Sequence, residues 1–154
     1  MGLPPFQDFL DEHREAVYRL LVALAGPQEA EDCFQETFLS ALRAYPRLRD
    51  GSNLRAWVMT IAARKALDSH RARRRRPEPT PRVPEVPVPA REDADPEVWR
   101  RVRALPPKQR TAVFLRFVGD LRYRDVARIV GSSEAAARQS VRAGLAALRK
   151  EWVT

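Results

Sequence analysis

Residues 122–150 read RYRDVARIVGSSEAAARQSVRAGLAALRK, and their spacing decides the fold of this part of the chain. Ala127 is small where two helices would cross, and Gly131 follows it where a turn often needs a positive φ. Ser133 can cap the second helix, and Glu134 suits the positive end of its dipole. The stretch therefore predicts a helix-turn-helix with helices at about Tyr123–Val130 and Glu134–Lys150. Its inward positions are predicted to be Val126, Val130, Ala137, Val141, Leu145 and Leu148.

The same register places three polar side chains, Arg138, Gln139 and Arg142, on the outer side of the second helix. In a DNA-binding helix-turn-helix the N-terminal half of that helix enters the major groove. An arginine there can pair with guanine and a glutamine with adenine, although either can hold a phosphate instead. The pattern favours binding to duplex DNA. Its structural alternative is an ordinary α-hairpin with an alanine-rich second helix.

The rest of the chain also shows helical rather than alternating spacing. Hydrophobic residues make up 44% of the 154 residues and only 6 are glycine, which predicts an all-α fold. Trp57 is predicted to be a core residue of a long third helix. The buried face of the second helix is predicted to hold Ala30, Cys33, Phe34, Thr37, Phe38, Ala41 and Leu42. Residue types that often begin or end helices mark the predicted boundaries. The first helix ends at Gly26, and the second begins at Pro27 and is stopped by Pro46. Asn53 caps the third helix, Asp95-Pro96 begins the fourth, and the fifth begins at Pro106-Pro107 and ends near Gly119.

A proline-rich segment divides the chain into two parts. Seven of the 13 prolines fall between Pro77 and Pro96. Proline removes backbone donors and restricts the residue before it, so this segment is predicted to be an extended linker. We expect one small helical domain at residues 1–76, the linker at 77–94 and a second helical domain at 95–154.

Positive charge is concentrated in two of the four segments of the chain. Residues 55–76 carry eight basic side chains and one acid, and residues 96–154 carry thirteen basic side chains and five acids. Residues 1–54 and 77–95 have net charges of −4 and −3, and the whole chain has +8. Arg64, Lys65 and Arg71 belong to one long predicted helix that can follow a phosphate backbone, although a solvated helix end would look similar. A basic surface in each domain indicates a nucleic acid as the partner.

Several classes of protein are excluded by what the sequence contains. Its single cysteine, Cys33, cannot form an internal disulfide, which is compatible with the reducing cytoplasm where we expect the protein to act. The N-terminus lacks the pattern of a signal peptide, and no apolar run is long enough to span a membrane. His13, Cys33 and His70 do not have the spacing of metal ligands, so we expect no metal, no cofactor and no catalytic site.

Three stretches carry motifs that occur together, in this order, in one known family. Residues 29–48 read EAEDCFQETFLSALRAYPRL and are similar to the pattern AED-x-x-Q-E-[TV]-F. Residues 53–76 read NLRAWVMTIAARKALDSHRARRRR and are similar to W-[LV]-x-x-IA-x-N-x-x-x-D-x-x-R. Residues 105–133 read LPPKQRTAVFLRFVGDLRYRDVARIVGSS and are similar to LP-x-x-x-R followed by a Y-x-[ED]-[IV]-A helix. The three stretches resemble regions 2.1–2.2, 2.3–2.4 and 4 of the sigma-70 family, and within it the extracytoplasmic-function (ECF) sigma factors.

The resemblance implies a regulatory protein rather than an enzyme. It implies that core RNA polymerase and promoter DNA are the partners, that an anti-sigma factor is a further partner, and that the two domains recognise the −10 and −35 promoter elements. The polymerase-binding positions it implies are Asp32, Gln35, Glu36 and Phe38. The −10 positions are Asp50, Gly51, Ser52, Asn53, Arg55, Arg64, Lys65 and Arg71. The −35 positions are Ser133, Arg138, Gln139, Ser140 and Arg142.

The chain departs from the family pattern in both domains. Arg64 stands where the IA-x-N pattern has asparagine, and Ser140, Ala143 and Leu145 stand where the recognition helix of the family often has arginine. Two alternatives remain on the sequence alone. One is a stand-alone helix-turn-helix regulator that does not act through core polymerase, which would not need the acidic helix of residues 29–38. The other is a nucleic-acid enzyme, which would need clustered carboxylates or a metal site.

Overall fold

The structure of the protein is a computed structural model that describes residues 2–75 and 96–153. These residues form two compact units, unit 1 from residues 2–75 and unit 2 from residues 96–153. The described residues contain helices and no strand, which confirms the prediction of an all-α fold. The predicted linker and the predicted cap Asp95 lie outside the described residues, so the domain boundaries stay predictions.

Unit 1 is a bundle of three helices, each packed against the other two. They are α1 (Phe6–Ala25), α2 (Pro27–Ala44) and α3 (Leu54–Arg75), and a short 3-10 turn at Tyr45–Arg47 follows α2. Pro27 occupies the first turn of α2, as predicted. The side chain of Asn53 caps α3, because its Oδ1 accepts a hydrogen bond from the backbone N–H of Ala56 at 3.1 Å.

Aromatic rings connect the N-terminal parts of α1 and α3. The ring of Phe9, which is fully buried, lies 5.2 Å from that of Tyr45 and 5.8 Å from that of Trp57. The hydroxyl of Tyr45 donates a hydrogen bond to the backbone carbonyl of Pro4. Trp57 therefore packs on core residues, as predicted, although its side chain is only half-buried. These contacts fix the start of α3 and the loop before it on the bundle.

The apolar face predicted for α2 needs one correction. Ala30, Cys33, Phe38 and Ala41 are buried, but Leu42 is 50% exposed. Leu42 lies about 100° around the helix from Ala41, which moves it out of the face that α1 and α3 cover.

Unit 2 contains four helices. They are α4 (Pro96–Arg103), α5 (Pro107–Phe117), α6 (Tyr123–Val130) and α7 (Glu134–Val153). Gly131 separates α6 from α7 with a φ of +72°, a conformation that glycine adopts without the steric cost of a side chain. The predicted helix-turn-helix is confirmed with its turn at the expected residue.

The core of unit 2 lies between α5 and the helix-turn-helix. Phe114, Leu115, Leu121, Val126 and Val141 are at most 1% exposed. The ring of Trp99 on α4 stacks on Phe114 with 5.7 Å between centroids. The prediction of an inward position is wrong for two residues, since Val130 and Leu145 are 38% and 40% exposed. Val130 is the last residue of α6, and Leu145 lies about 100° around α7 from the buried Gly144.

Candidate nucleic-acid and protein interfaces

The second helix of the helix-turn-helix, α7, presents a polar outer side. Ala137 and Val141 are 1% exposed and hold α7 against the core, which leaves Arg138, Gln139 and Arg142 exposed. Ser133 caps α7, because its Oγ accepts a hydrogen bond from the backbone N–H of Ala136 at 3.1 Å. Its predicted contact with DNA would be additional to this structural role.

Ser140 lies differently from the other predicted −35 residues. It is half-buried and, together with Gln139, lines a shallow groove beside the start of α5, where Pro106 and Pro107 lie. Gln139 and Arg142 are exposed, whereas Ser140 lies deeper, at the edge of α7 that faces α5.

Arg138 lies at the opposite edge of α7, toward α6. Its guanidinium forms an ion pair with Glu134 at 2.9 Å, and its guanidinium carbon lies 4.8 Å from the ring centroid of Tyr123, the first residue of α6. A second arginine, Arg116 on α5, lies 5.3 Å from the same ring and 3.7 Å from Asp120. Two arginines thus lie against one tyrosine ring, and each forms an ion pair with its own acid. These five residues, Tyr123, Arg138, Glu134, Arg116 and Asp120, are called the Tyr123 cluster below.

In unit 1, the loop before α3 is exposed and held by short-range hydrogen bonds. Asp50, Gly51 and Asn53 are exposed, and Ser52 is half-buried. The hydroxyl of Ser52 donates to the backbone carbonyl of Arg49 at 2.6 Å. Since Asn53 also accepts the capping hydrogen bond, the loop has a defined conformation with its polar atoms at the surface.

The basic residues of α3 do not share one environment. Arg64 is exposed, whereas Lys65 and Arg55 are half-buried. Arg55 lies near His13 on α1: burial lowers the pKa of His13, Glu12 raises it, and the Arg55 cation lowers it. The side chain of Arg71 lies outside the described residues.

The outer side of α2 carries both acids and apolar side chains. The predicted residues Asp32, Gln35 and Glu36 are exposed. Leu39 and Leu42 are 54% and 50% exposed, and they follow these polar residues at helical spacing on the same side. Phe38 requires a correction: it is 6% exposed, and its ring lies 4.8 Å from that of Phe34 and 6.3 Å from that of Phe9. It is a core residue and does not belong to this surface.

Comparison with known families places both units. The family model described as Sigma-70 region 2 matches residues 9–76, and the one described as Sigma-70, region 4 matches residues 96–148. The chain is 31% identical to the RNA polymerase sigma factor CarQ of Myxococcus xanthus over 157 residues, which cover 94% of this chain and 87% of CarQ. The chain belongs to the ECF sigma factors of the sigma-70 family. This membership confirms the resemblance drawn from the sequence motifs.

Other ECF sigma factors show similar identity. The chain is 34% identical to SigD of Mycobacterium tuberculosis H37Rv, covering 96% of this chain and 76% of SigD. It is 31% identical to SigE of Mycolicibacterium smegmatis, covering 96% of this chain and 62% of SigE. This sigma factor thus spans less than two thirds of the length of SigE.

Among the solved structures that share the fold of this sigma factor are two complexes. One is the sigma factor RpoE in complex with the anti-sigma factor NepR from Bartonella quintana, with a TM-score of 0.76, 22% identity and 94% coverage of both chains. The other is CnrH in complex with the cytosolic domain of CnrY, with a TM-score of 0.63, 18% identity and coverage of 95% of this chain and 88% of CnrH.

Sequence reasoning missed two features of this sigma factor. Leu39 and Leu42 join the acidic side of α2, and a helical projection centred on Ala30, Cys33 and Ala41 would have placed both outside the buried face. The contact between Arg138 and Tyr123 had no signal in the sequence, since it depends on how α6 meets α7.

Within the described ranges 2–75 and 96–153, no helix combines the length and apolar character needed to cross a membrane.

Proposed function

We propose that this protein directs RNA polymerase to promoters, with unit 1 binding core polymerase and the −10 element and unit 2 binding the −35 element. The observation that carries the proposal is a capped helix-turn-helix whose second helix exposes Arg138, Gln139 and Arg142, in a chain that belongs to the ECF sigma factors. Its role is regulatory rather than enzymatic, and its place of action is the cytoplasm.

The −35 element is recognised as duplex DNA by α7. Gln139 and Arg142 lie on the exposed side of the helix, near the end that enters the major groove in proteins of this kind. Their side chains have the donors and acceptors needed to pair with adenine and guanine edges. Ser133 contributes by fixing the start of α7, and Ser140 stands at the margin of the interface because it is half-buried beside α5.

The −10 element is contacted by the loop of residues 50–53 and by α3. Asp50, Gly51 and Asn53 offer exposed polar groups on a loop held by local hydrogen bonds, which suits the capture of an unpaired base. Arg64 is exposed on α3 and can hold the adjacent phosphates. Arg55 and Lys65, which are half-buried on α3, and Arg71 are further proposed contacts to the −10 element.

Core polymerase binds the outer side of α2. Asp32, Gln35 and Glu36 supply charge and hydrogen-bonding groups, and Leu39 and Leu42 supply exposed apolar area beside them. A helix face of this composition is typical of a protein interface, where apolar contacts stabilise the complex and charges select the partner. A stand-alone helix-turn-helix regulator would have no use for this face.

An anti-sigma factor is proposed as a further partner. The sigma factor RpoE, which has the same fold, was co-crystallised with the anti-sigma factor NepR, and CnrH, which also has this fold, forms a complex with the cytosolic domain of CnrY. The chain itself carries no motif that selects one such partner.

Run-off transcription with purified core polymerase on a genomic promoter library tests the proposal. The expected result is initiation at a small set of promoters together with a stable complex between the protein and core polymerase. If neither is observed while the protein binds duplex DNA alone, the stand-alone regulator is the better explanation.

Glu36→Lys tests the polymerase surface on α2. Reversal of this exposed charge is expected to weaken binding to core polymerase about fivefold, because it removes one favourable charge contact and adds a repulsive one. The control is Glu12→Lys, which makes the same charge change at an exposed residue of α1. Equal affinities of the two variants for core polymerase, measured by fluorescence anisotropy, would remove α2 from the interface.

A further inference from the structure

The Tyr123 cluster contains an acid at the end of α7 that approaches DNA. Glu134 is the first residue of α7, and its carboxylate pairs with Arg138 one turn later at 2.9 Å. Both side chains are about half exposed, with relative accessibilities of 50% and 56%, so DNA can reach them. The ring of Tyr123 lies 4.8 Å from the guanidinium carbon of Arg138, which gives Arg138 a second contact on α6.

We propose that Glu134 acts as a positioning residue that holds Arg138 beside Tyr123 and thereby lowers the affinity of α7 for the −35 element. The inference rests on the proposed function, because it takes duplex DNA as the ligand of α7. Binding transfers the guanidinium of Arg138 from the carboxylate of Glu134 to an acceptor on the DNA. Glu134 then sets how readily Arg138 becomes available.

Two electrostatic effects act in the same direction. The pair between Glu134 and Arg138 must open before Arg138 can bind DNA, and an exposed pair of this kind shifts an equilibrium by about two- to fivefold. Once Arg138 has moved away, the Glu134 carboxylate is left near the phosphates of a polyanion. Removal of the carboxylate therefore raises the affinity for DNA.

Folding stability is expected to change in the opposite direction. An acid in the first turn interacts favourably with the positive end of the helix dipole, so Glu134→Gln removes a small stabilising interaction from α7. A residue with a purely structural role would lower stability and DNA affinity together. A gain in affinity with a small loss in stability separates the two roles.

The experiment uses the full chain reconstituted with core RNA polymerase. A library of duplexes with a randomised −35 segment is first selected with the wild-type holoenzyme, and the most enriched duplex becomes the probe. Its affinity is then measured for four holoenzymes: wild type, Glu134→Gln, Arg138→Ala and the double variant. Contacts at the −10 element keep the weaker variants within the measurable range. Glu97→Gln is the matched control, since it removes an acid from the i,i+4 pair that Glu97 forms with Arg101 on α4.

Glu134→Gln is expected to raise the affinity two- to fivefold, with a smaller gain at high salt because the pair is screened there. The gain is expected to be clearly smaller in the Arg138→Ala background, where only the repulsion between Glu134 and the phosphates remains, and to be absent in Glu97→Gln. An equal gain in both backgrounds would show direct repulsion between Glu134 and DNA and overturn the inference, and so would unchanged or weaker binding. Failure to enrich any duplex would instead overturn the proposed function, and the inference with it.

Discussion

Gly144→Ala tests how closely α7 is packed against the rest of unit 2. A Cβ atom at residue 144 would lie 2.9 Å from Cγ2 of Val113 on α5 and 3.4 Å from Cδ1 of Leu105. Carbon atoms in good contact are separated by about 3.5–4.0 Å, so the Val113 methyl would have to move by roughly 0.6 Å or more. An extra methyl in a packed core costs about 1–3 kcal/mol.

The helical propensity of alanine opposes this cost. Replacing glycine by alanine inside a helix stabilises the helix by about 1 kcal/mol. We therefore expect a net loss of about 1 kcal/mol in the free energy of unfolding of unit 2, where propensity alone would give a gain of that size. The sign of the change distinguishes close packing from a glycine that merely weakens the helix.

The free energy of unfolding is measured by denaturant unfolding of the full chain. Hydrogen exchange of the α5 and α7 amides localises the change to unit 2. Val113→Ala supplies a matched test, because it removes the methyl that the new Cβ would meet. In the double variant the two costs are expected to be less than additive by about 1 kcal/mol. A stabilising effect of Gly144→Ala, or strict additivity with Val113→Ala, would refute the packing argument.

Two further predictions concern unit 1. Asn53→Ala removes the cap of α3 and is expected to lower the free energy of unfolding by about 1 kcal/mol. Asn53→Asp keeps an acceptor for the Ala56 N–H and should retain most of the stability of the wild type. An equal loss of stability in both variants would disprove the capping role. Burial lowers the pKa of His13, while the Glu12 carboxylate raises this pKa and the Arg55 cation lowers it. The pKa of His13 in the folded state therefore lies below the unfolded value of 6.5. As the pH falls, the unfolded chain binds the proton at a higher pH than the folded chain does. The stability this group contributes is present above pH 6.5 and is lost as the pH falls through the folded-state pKa; His13→Gln should flatten the pH dependence of unfolding in that range, and an unchanged profile would contradict it.

Much of the fold could be predicted because the signals that bound helices act locally. Pro27 at the start of α2, Asn53 and Ser133 as caps, and Gly131 at the turn each satisfy or spare backbone groups within a few residues. Such interactions form in the same way wherever the helix packs. The exposed position of Gln139 and Arg142 was predictable for a similar reason, since it depends only on the register of α7.

The sites were harder to predict because their contacts join residues far apart in the chain. Phe38 is the last residue of the motif on the acidic helix, yet its ring is buried against Phe34 and Phe9. Leu39 and Leu42, in contrast, are exposed on the same side of α2 as Glu36. An apolar residue at the edge of a helix face becomes core or surface according to the angle at which the neighbouring helices cross it, which the helix alone does not specify.

By itself, the sequence of this ECF sigma factor determined where most of the helices begin, the division of charge and the helix-turn-helix, because each depends on spacing along the chain. Only the tertiary structure decided that Arg138 lies beside Tyr123 and pairs with Glu134, and that Gly144 allows α7 to approach Val113. These contacts depend on the distances between helices, which are set by packing of the whole unit at interior density.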